Sequence, residues 1–145
     1  MFIIKALPKA FIQLILCLAI LGLTTAALAG CSKSAVSGEN GEKLTLYEPA
    51  AVTLQRGGKA KVNVKIKRNA LQGDVAVVFT NLPNGVEAAE PAAKISAEEG
   101  FFTLEASDTA DLVENSVARV TATGADHIGV STPLTITVKE KTKTP

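Results

Sequence analysis

Residues 59–68 have the sequence KAKVNVKIKR, in which apolar and polar residues alternate strictly. Successive side chains of a strand point to opposite faces, so this period of two predicts a half-buried β-strand. The core-facing row is Ala60, Val62, Val64 and Ile66. The opposite row carries four lysines and one asparagine: Lys59, Lys61, Asn63, Lys65 and Lys67.

Other strand-like segments follow on both sides of this one. Residues 74–80 (DVAVVFT) are apolar on both faces and predict a central strand. Residues 44–47 and 51–55 predict one first strand, interrupted at Pro49, and 86–98 carry no firm assignment. The remaining predicted strands are 101–106, 116–123 and 133–139. Turns rich in glycine, asparagine and aspartate separate them, so residues 44–140 predict an all-β, antiparallel sandwich of about seven strands, of immunoglobulin (Ig) type.

Several short motifs within residues 48–139 resemble the Ig-like repeats of secreted planctomycete-type proteins. They are Glu48-Pro49, Arg56-Gly57-Gly58-Lys59, Gly73-Asp74-Val75, Leu82-Pro83-Asn84-Gly85-Val86, and the alternating Leu134, Ile136 and Val138. The resemblance implies an Ig-like fold that acts as a spacer or interaction module rather than as an enzyme. The Cys–Trp–Cys core of antibody domains is absent, so aliphatic residues and phenylalanine are expected to fill the core.

The first thirty residues differ in kind from the rest of the chain. They carry Lys5 and Lys9 with no acid, then an almost wholly apolar run at 10–23, then small residues. This order predicts a signal peptide over residues 1–30, helical in its apolar part. An ordinary secretory signal and an uncleaved membrane anchor are the alternatives, because about twenty apolar residues can span a bilayer.

The segment Leu28-Ala29-Gly30-Cys31 resembles the lipobox of bacterial lipoproteins. The resemblance implies cleavage between Gly30 and Cys31, and acylation of Cys31 with palmitate-like chains that anchor the protein to a membrane of the cell envelope. Ser32 stands where an aspartate would imply retention at the inner membrane, so the outer membrane is favoured. Residues 31–43 are expected to be the lipidated cysteine and a flexible tether holding the domain about 20 Å from the lipid. Residues 141–145 are expected to be a disordered tail.

Composition excludes several classes of function. Beyond residue 30 the basic and acidic residues nearly balance, so nothing favours nucleic acid as a partner. The two cysteines are Cys17, inside the apolar run, and Cys31, so the mature domain can form no internal disulfide. With His127 the sole histidine, a Cys/His zinc site is excluded as well. No cofactor is expected.

The lysine row of the predicted strand has two interpretations. Lys59, Lys61, Lys65 and Lys67 lie about 6.8 Å apart where they are two residues apart, and such a row could bind an anionic envelope polymer. Lysines on an exposed or edge strand also prevent aggregation between sheet edges. The sequence places no aromatic residues nearby, which disfavours stacking on bases or sugars.

Acidic residues gather between residues 87 and 114. Within this stretch Asp108, Asp111 and Glu114 could supply oxygen ligands to calcium, but their spacing lacks the pattern of an EF-hand. A solvated loop, or complementarity to the basic strand of a neighbouring molecule, are the other interpretations. We therefore expect that the protein has no metal site. The three carboxylates are the candidate calcium ligands to compare with the structure.

Ser131, His127 and Asp126 could form a catalytic triad, because they lie close together in the sequence around a predicted turn between two strands. No nucleophile-elbow sequence accompanies it, so an exposed loop histidine is the preferred interpretation and no enzyme is expected. The sequence predicts a membrane-anchored, non-catalytic structural or protein-interaction module with an envelope protein as its partner. Binding of anionic polymer through residues 59–68 is the alternative.

Overall fold

The chain from residue 32 onward folds into two stacked β-sheets. The structure, a computed structural model, describes residues 32–91 and 93–142; the predicted signal peptide, Cys31 and residues 143–145 lie outside the described residues. The described strands are β1 (Lys33–Ser37), β2 (Lys43–Tyr47), β3 (Val52–Gln55), β4 (Lys59–Asn69), β5 (Val75–Thr80), β6 (Val86–Ala88), β7 (Lys94–Ile95), β8 (Glu99–Ala106), β9 (Val113–Thr123) and β10 (Gly129–Lys139). A 3₁₀ turn, Ala125–His127, joins the last two strands.

The strand order is that of an Ig-like sandwich, as predicted. The first sheet has the order β1-β2-β4-β8-β6 and the second the order β3-β10-β9-β5-β7. Strands β2, β4, β5, β6, β8, β9 and β10 take the seven positions of the Ig fold, with four in one sheet and three in the other. The short strands β1, β3 and β7 extend the sheets, and β3 runs parallel to β10 where the other pairs are antiparallel.

Aliphatic side chains from both sheets form one core. Leu44, Leu46, Leu104 and Leu134 are completely buried between the sheets. Phe79 of β5 and Phe102 of β8 join the two layers edge to face, with ring centroids 5.5 Å apart. The expected core of aliphatic residues and phenylalanine is therefore confirmed.

The alternating segment forms the centre of the first sheet. Strand β4 spans the predicted residues 59–68, with Val62, Val64 and Ile66 buried and the lysines exposed. It pairs with β2 on one side and β8 on the other. The β8 ladder covers residues 59–65 and the β2 ladder covers only residues 66–69, so among the described pairs Lys59, Lys61 and Lys65 have a neighbouring strand on one side alone. The explanation of these lysines as protection of an exposed edge therefore stays a prediction.

The prediction of a flexible tether over residues 31–43 is wrong for residues 33–37, which form a strand, and for Lys43, which begins β2. Lys33–Ser37 form β1, which pairs antiparallel with β2 from Lys33 opposite Tyr47 to Ser37 opposite Lys43. Val36 packs against the core, and the Glu48 amide donates to the Ser32 carbonyl over 2.9 Å. Pairing with β2 and the packing of Val36 thus order a segment that is polar apart from Ala35 and Val36.

Two further strand predictions need correction. Residues 44–47 and 51–55 form not one strand but two, in different sheets, because the chain crosses between the layers at the buried Pro49. Strand β5 lies inside its sheet, as predicted, with β9 on one side and β7 on the other, but only one of its two apolar faces is buried. Its outer side chain Val78 is 40% exposed, since a two-layer sandwich covers only one face of each sheet.

Residues 86–98, unassigned in the sequence, contain the short strands β6 and β7. At the other end of the chain, part of the predicted tail contacts the domain. Gln55 Nε2 donates to Thr142 Oγ1 over 3.2 Å, and Lys141 Nζ lies 4.0 Å from Asp108 Oδ1. Within residues 32–91 and 93–142, no helix has the length and apolar composition needed to cross a bilayer.

Candidate functional site: the charged face of the first sheet

The outer face of the first sheet carries the lysines that the sequence singled out. Lys59, Lys61, Lys65 and Lys67 all project from β4 into solvent. Opposite them on β8 the register places Glu105 beside Lys59, Thr103 beside Lys61 and Glu99 beside Lys65. The basic and acidic stretches, separate in sequence, are thus brought side by side by antiparallel pairing.

Two of the four predicted lysines are neutralised by this pairing. Lys59 forms an ion pair with Glu105, and Lys65 Nζ lies 3.6 Å from Glu99 Oε2. Exposed pairs of this kind contribute about 0–1 kcal/mol to stability, but they remove net charge from the face. The acidic stretch therefore complements the basic strand of its own molecule, and the predicted complementarity to a neighbouring molecule is not needed to explain it.

A second group of lysines lies on the same face, towards the N-terminal edge of the sheet. Lys33 of β1, Lys43 of β2 and Lys67 of β4 line an open groove of about 380 Å³, together with Thr45, Tyr47 and Asn69. The register accounts for the grouping, since Lys33 is opposite Tyr47 and Thr45 is opposite Lys67. Among the described residues, no acidic side chain forms an ion pair with any of the three. We call this arrangement the lysine groove.

The sequence identified only one member of the lysine groove. Lys67 belongs to the alternating segment, whereas Lys33 was assigned to the tether and Lys43 to its end. In the segment Lys33–Ser37, exposed residues alternate with half-buried ones, and that alternation could have predicted β1. The segment is short and mostly polar, so its sequence pattern is weak. Only the pairing of β1 with β2 gives that alternation a face.

Aromatic side chains lie on this face as well, contrary to the sequence-based expectation. Tyr47 contacts the groove that Lys65 and Lys67 line with Glu98 and Glu99. Phe101 projects from β8 beside Asn63 and is 68% exposed. Tyr47 precedes residues 59–68 in the sequence, and Phe101 follows them. The pairing of β4 with β2 and β8 places both aromatic side chains on the same face as the lysines.

The two arginines that flank the alternating segment have structural contacts. Arg68 donates to the carbonyls of Gly73, Ser96 and Ala97 over 2.6–3.1 Å, which ties together two loops at one end of the sandwich. Arg56 donates from Nε to the Ala110 carbonyl over 2.7 Å. Because these guanidinium groups are engaged by the protein itself, they are not part of the charged face.

The candidate calcium ligands are not gathered into a site. Within the described part of the chain, no three His, Cys, Asp or Glu side chains are grouped so that they could hold a metal ion. Asp108 is directed towards Lys141, the Asp111 backbone amide donates to the Asn84 carbonyl over 3.0 Å, and Glu114 is an exposed residue of β9. The three carboxylates thus belong to different local environments.

The candidate catalytic residues are likewise not connected. His127 is exposed at the end of the 3₁₀ turn and has a φ of +60°. Ser131 Oγ lies 2.9 Å from Thr121 Oγ1, its neighbour across β9 and β10. No hydrogen bond joins His127 to Ser131 among the described side chains, and the side chain of Asp126 is outside them.

The outer face of the second sheet has a different chemistry from that of the first. Its three central segments, β5, residues 117–123 of β9 and residues 129–137 of β10, contain a single charged residue, Arg119. Threonine, serine and valine make up most of the face, and Val117 is 63% exposed. The sandwich therefore presents one charged face and one face with a nearly uncharged centre, bordered by the exposed Lys94 and Lys139.

Comparisons with known proteins give no family for this chain. No family model and no curated protein matches it. Among solved structures, it is similar to a chimeric titin Z1Z2 functionalized with an exogenous KLER peptide from decorin, at 15% identity and a TM-score of 0.40, covering 76% of this chain and 99% of that one. It is also similar to domains 4 and 5 of the S-layer protein SbsC, at 17% identity and a TM-score of 0.39, covering 80% and 81%. Similarities at this level say nothing about function.

Proposed function

We propose that this protein is a bacterial lipoprotein whose acylated Cys31 fixes an Ig-like sandwich to a membrane of the cell envelope. The observation that carries the proposal is the segment Leu28-Ala29-Gly30-Cys31 at the end of an apolar run, with a folded domain starting directly after it. Each buried methylene of an acyl chain contributes about 0.8 kcal/mol to membrane binding, so two or three chains anchor the domain stably. Ser32, in place of an aspartate, favours the outer membrane.

Metabolic labelling with palmitate tests the anchor. The wild-type chain is expected to incorporate the label, and Cys31→Ala is expected to lose it completely. Cys17→Ala is the matched control, because it removes the other cysteine and leaves the lipobox intact. Equal labelling of the wild type and Cys31→Ala would overturn the proposal.

The role we propose for the sandwich is non-catalytic: a structural or interaction module whose partner is another envelope protein. The nearly uncharged face of the second sheet supports this role, because the buried centres of protein interfaces are depleted in charged residues. Val117 lies on that face beside Arg119 and is largely exposed. A partner that covers the three central segments of this face would bury valine and threonine and would desolvate one charge, that of Arg119.

Site-specific photo-crosslinking in intact cells tests this role. A photoreactive residue at Val117 is expected to give one discrete adduct, whose mass identifies a single envelope protein. The same residue at Thr103, on the charged face, is the control and is expected to give none. Identical adduct patterns at both positions, or no adduct at Val117, would argue against the interaction role.

Binding of anionic envelope polymer through residues 59–68 stays a prediction. The ion pairs of Lys59 and Lys65 count against a polymer-binding site that uses all four lysines of β4.

A further inference from the structure

The start of β1 has a consequence for where the domain lies in relation to its proposed anchor. Lys33 is two residues beyond Cys31, and consecutive Cα atoms are 3.8 Å apart, so the Cα atoms of these two residues are separated by at most about 8 Å. A flexible tether would have allowed about 20 Å. Since β1 is hydrogen-bonded into the sheet, the first sheet is held close to any membrane that carries the lipid.

The lysine groove begins beside this attachment point at Lys33 and extends along β1 to Lys43, which lies opposite Ser37 at the other end of that strand. Tyr47 lies opposite Lys33 on the neighbouring strand, and Lys67 lies one strand further across. Strands are about 4.8 Å apart and residues about 3.4 Å apart along them, so Lys43 and Lys67 are both within about 15 Å of Lys33. Three cations on a patch of this size, all on one face, approach a flat surface together.

Charge balance on the sheet distinguishes this patch from the rest of the face. Lys59 and Lys65 are paired with glutamates of β8, on the side away from β1. The three lysines of the groove have no such partner among the described residues. Lys61 of β4 has no ion pair among the described residues either, but it stands alone, so the groove is the place on this face where three unpaired lysines lie together.

We propose that Lys33, Lys43 and Lys67 bind the anionic headgroups of phospholipids in the membrane that carries acylated Cys31. The inference rests on the proposed acylation, which brings the groove to the membrane surface. Together the acyl chains and the lysines form a two-part anchor, in which the chains hold the domain and the lysines set its orientation. The charged face of the first sheet is then turned to the lipid, and the nearly uncharged face of the second is turned away from it and available to a protein.

Anionic lipid is favoured over a soluble polymer because of proximity. An anionic membrane surface attracts basic residues within about one Debye length, which is about 8 Å at physiological salt. The anchor holds Lys33 within that distance permanently, whereas a polymer would have to reach a face already close to the bilayer. Each lysine near such a surface increases association about five-fold, so three increase it about 100-fold.

Tyr47 provides a probe within the groove itself. It is the only tyrosine in the sequence, and the sequence has no tryptophan. The tyrosine fluorescence of the protein therefore reports on the groove alone. The acylated protein is reconstituted into vesicles of phosphatidylcholine, with or without a third of phosphatidylglycerol, and quenched with acrylamide. Phosphatidylglycerol is expected to reduce quenching of Tyr47, and about 1 M salt is expected to restore it, because the Debye length falls to about 3 Å.

Two matched triple variants assign the effect to the groove. Lys33→Gln, Lys43→Gln and Lys67→Gln together are expected to abolish the protection of Tyr47. The control combines Lys94→Gln, Lys139→Gln and Lys141→Gln, which removes the same charge at exposed positions outside the groove, and it is expected to retain the protection. Equal loss in both triple variants would overturn the assignment to these three lysines.

The remaining outcomes distinguish a failure of headgroup binding from a failure of the proposed acylation of Cys31. Mass spectrometry of the same preparation reports acylation of Cys31 independently of fluorescence. Acylated protein with equal Tyr47 quenching in both vesicles overturns headgroup binding alone, whereas unmodified Cys31 overturns both. If soluble polyphosphate protects Tyr47 on neutral vesicles and phosphatidylglycerol does not, the groove binds a polymer and the lipid assignment is wrong.

Discussion

Replacing Gly85 by alanine tests the packing of the turn that follows β5. Gly85 has a φ of +79°, a conformation that is about 1–2 kcal/mol less favourable for residues with a Cβ. A Cβ at this position would lie 2.6 Å from Ala110 Cα and 2.8 Å from Ser107 Oγ. Ala110 is completely buried and its Cα belongs to the backbone, so relief of the contact requires a shift of the chain.

The turn cannot move away from this contact freely. The Ser107 amide donates to the Gly85 carbonyl over 2.8 Å, and the Asp111 amide donates to the Asn84 carbonyl over 3.0 Å. Overpacking of a well-packed site typically destabilises by about 1–3 kcal/mol. Added to the conformational term, it gives an expected loss of about 2–5 kcal/mol in the free energy of unfolding for Gly85→Ala.

Gly73→Ala is the matched control. Gly73 has almost the same conformation, with a φ of +83°, but an added Cβ would meet nothing within 4 Å. Only the conformational loss of about 1–2 kcal/mol is expected there. Urea unfolding of a soluble form starting at residue 32 measures both variants, at an m-value of about 1–3 kcal/mol/M. Equal midpoints for the two variants would refute the packing of this turn against residues 107–111.

Three further predictions concern stability and are measured by the same unfolding assay. Phe102→Ala is expected to destabilise the protein by about 3–5 kcal/mol because Phe102 is 3% exposed. Phe101→Ala is expected to change the stability by less than about 0.5 kcal/mol because Phe101 is 68% exposed. Comparable losses for the two variants would contradict the register of β8. Arg68→Ala is expected to lose about 1–2 kcal/mol through its three contacts with loop carbonyls, and Lys61→Ala close to nothing; equal values would rule out the bracing role. Thr132→Val is expected to stabilise by about 1 kcal/mol, because the buried Thr132 hydroxyl has no hydrogen-bond partner among the described residues, and destabilisation would show that a partner exists.

The fold was predictable wherever local pattern and burial agree. Strand β4 alternates over residues 59–67, and Val62, Val64 and Ile66 of its core-facing row are buried as the period of two requires. Strands β8, β9 and β10 begin a few residues before their predicted starts and end where expected. The sandwich follows from these strands because each has one apolar face, and the stacking of two sheets buries all of these faces.

The parts that could not be predicted depend on pairing rather than on composition. Residues 33–37 are polar except for Ala35 and Val36, and they form a strand because β2 offers a free edge. The split of the first predicted strand at Pro49 depends on which sheet each half joins. The lysine groove combines Lys33, Lys43 and Lys67, which share a face only once the register of three strands is known.

The most direct test of the account is the mass of the N-terminal peptide of the protein recovered from cells. Trypsin cleaves after Lys33, so the processed chain yields the peptide Cys31-Ser32-Lys33. The account predicts that this peptide carries a diacylglyceryl group on the Cys31 sulfur and an acyl group on the new amino terminus. An unmodified cysteine, or a mature chain that begins at any other residue, would contradict it.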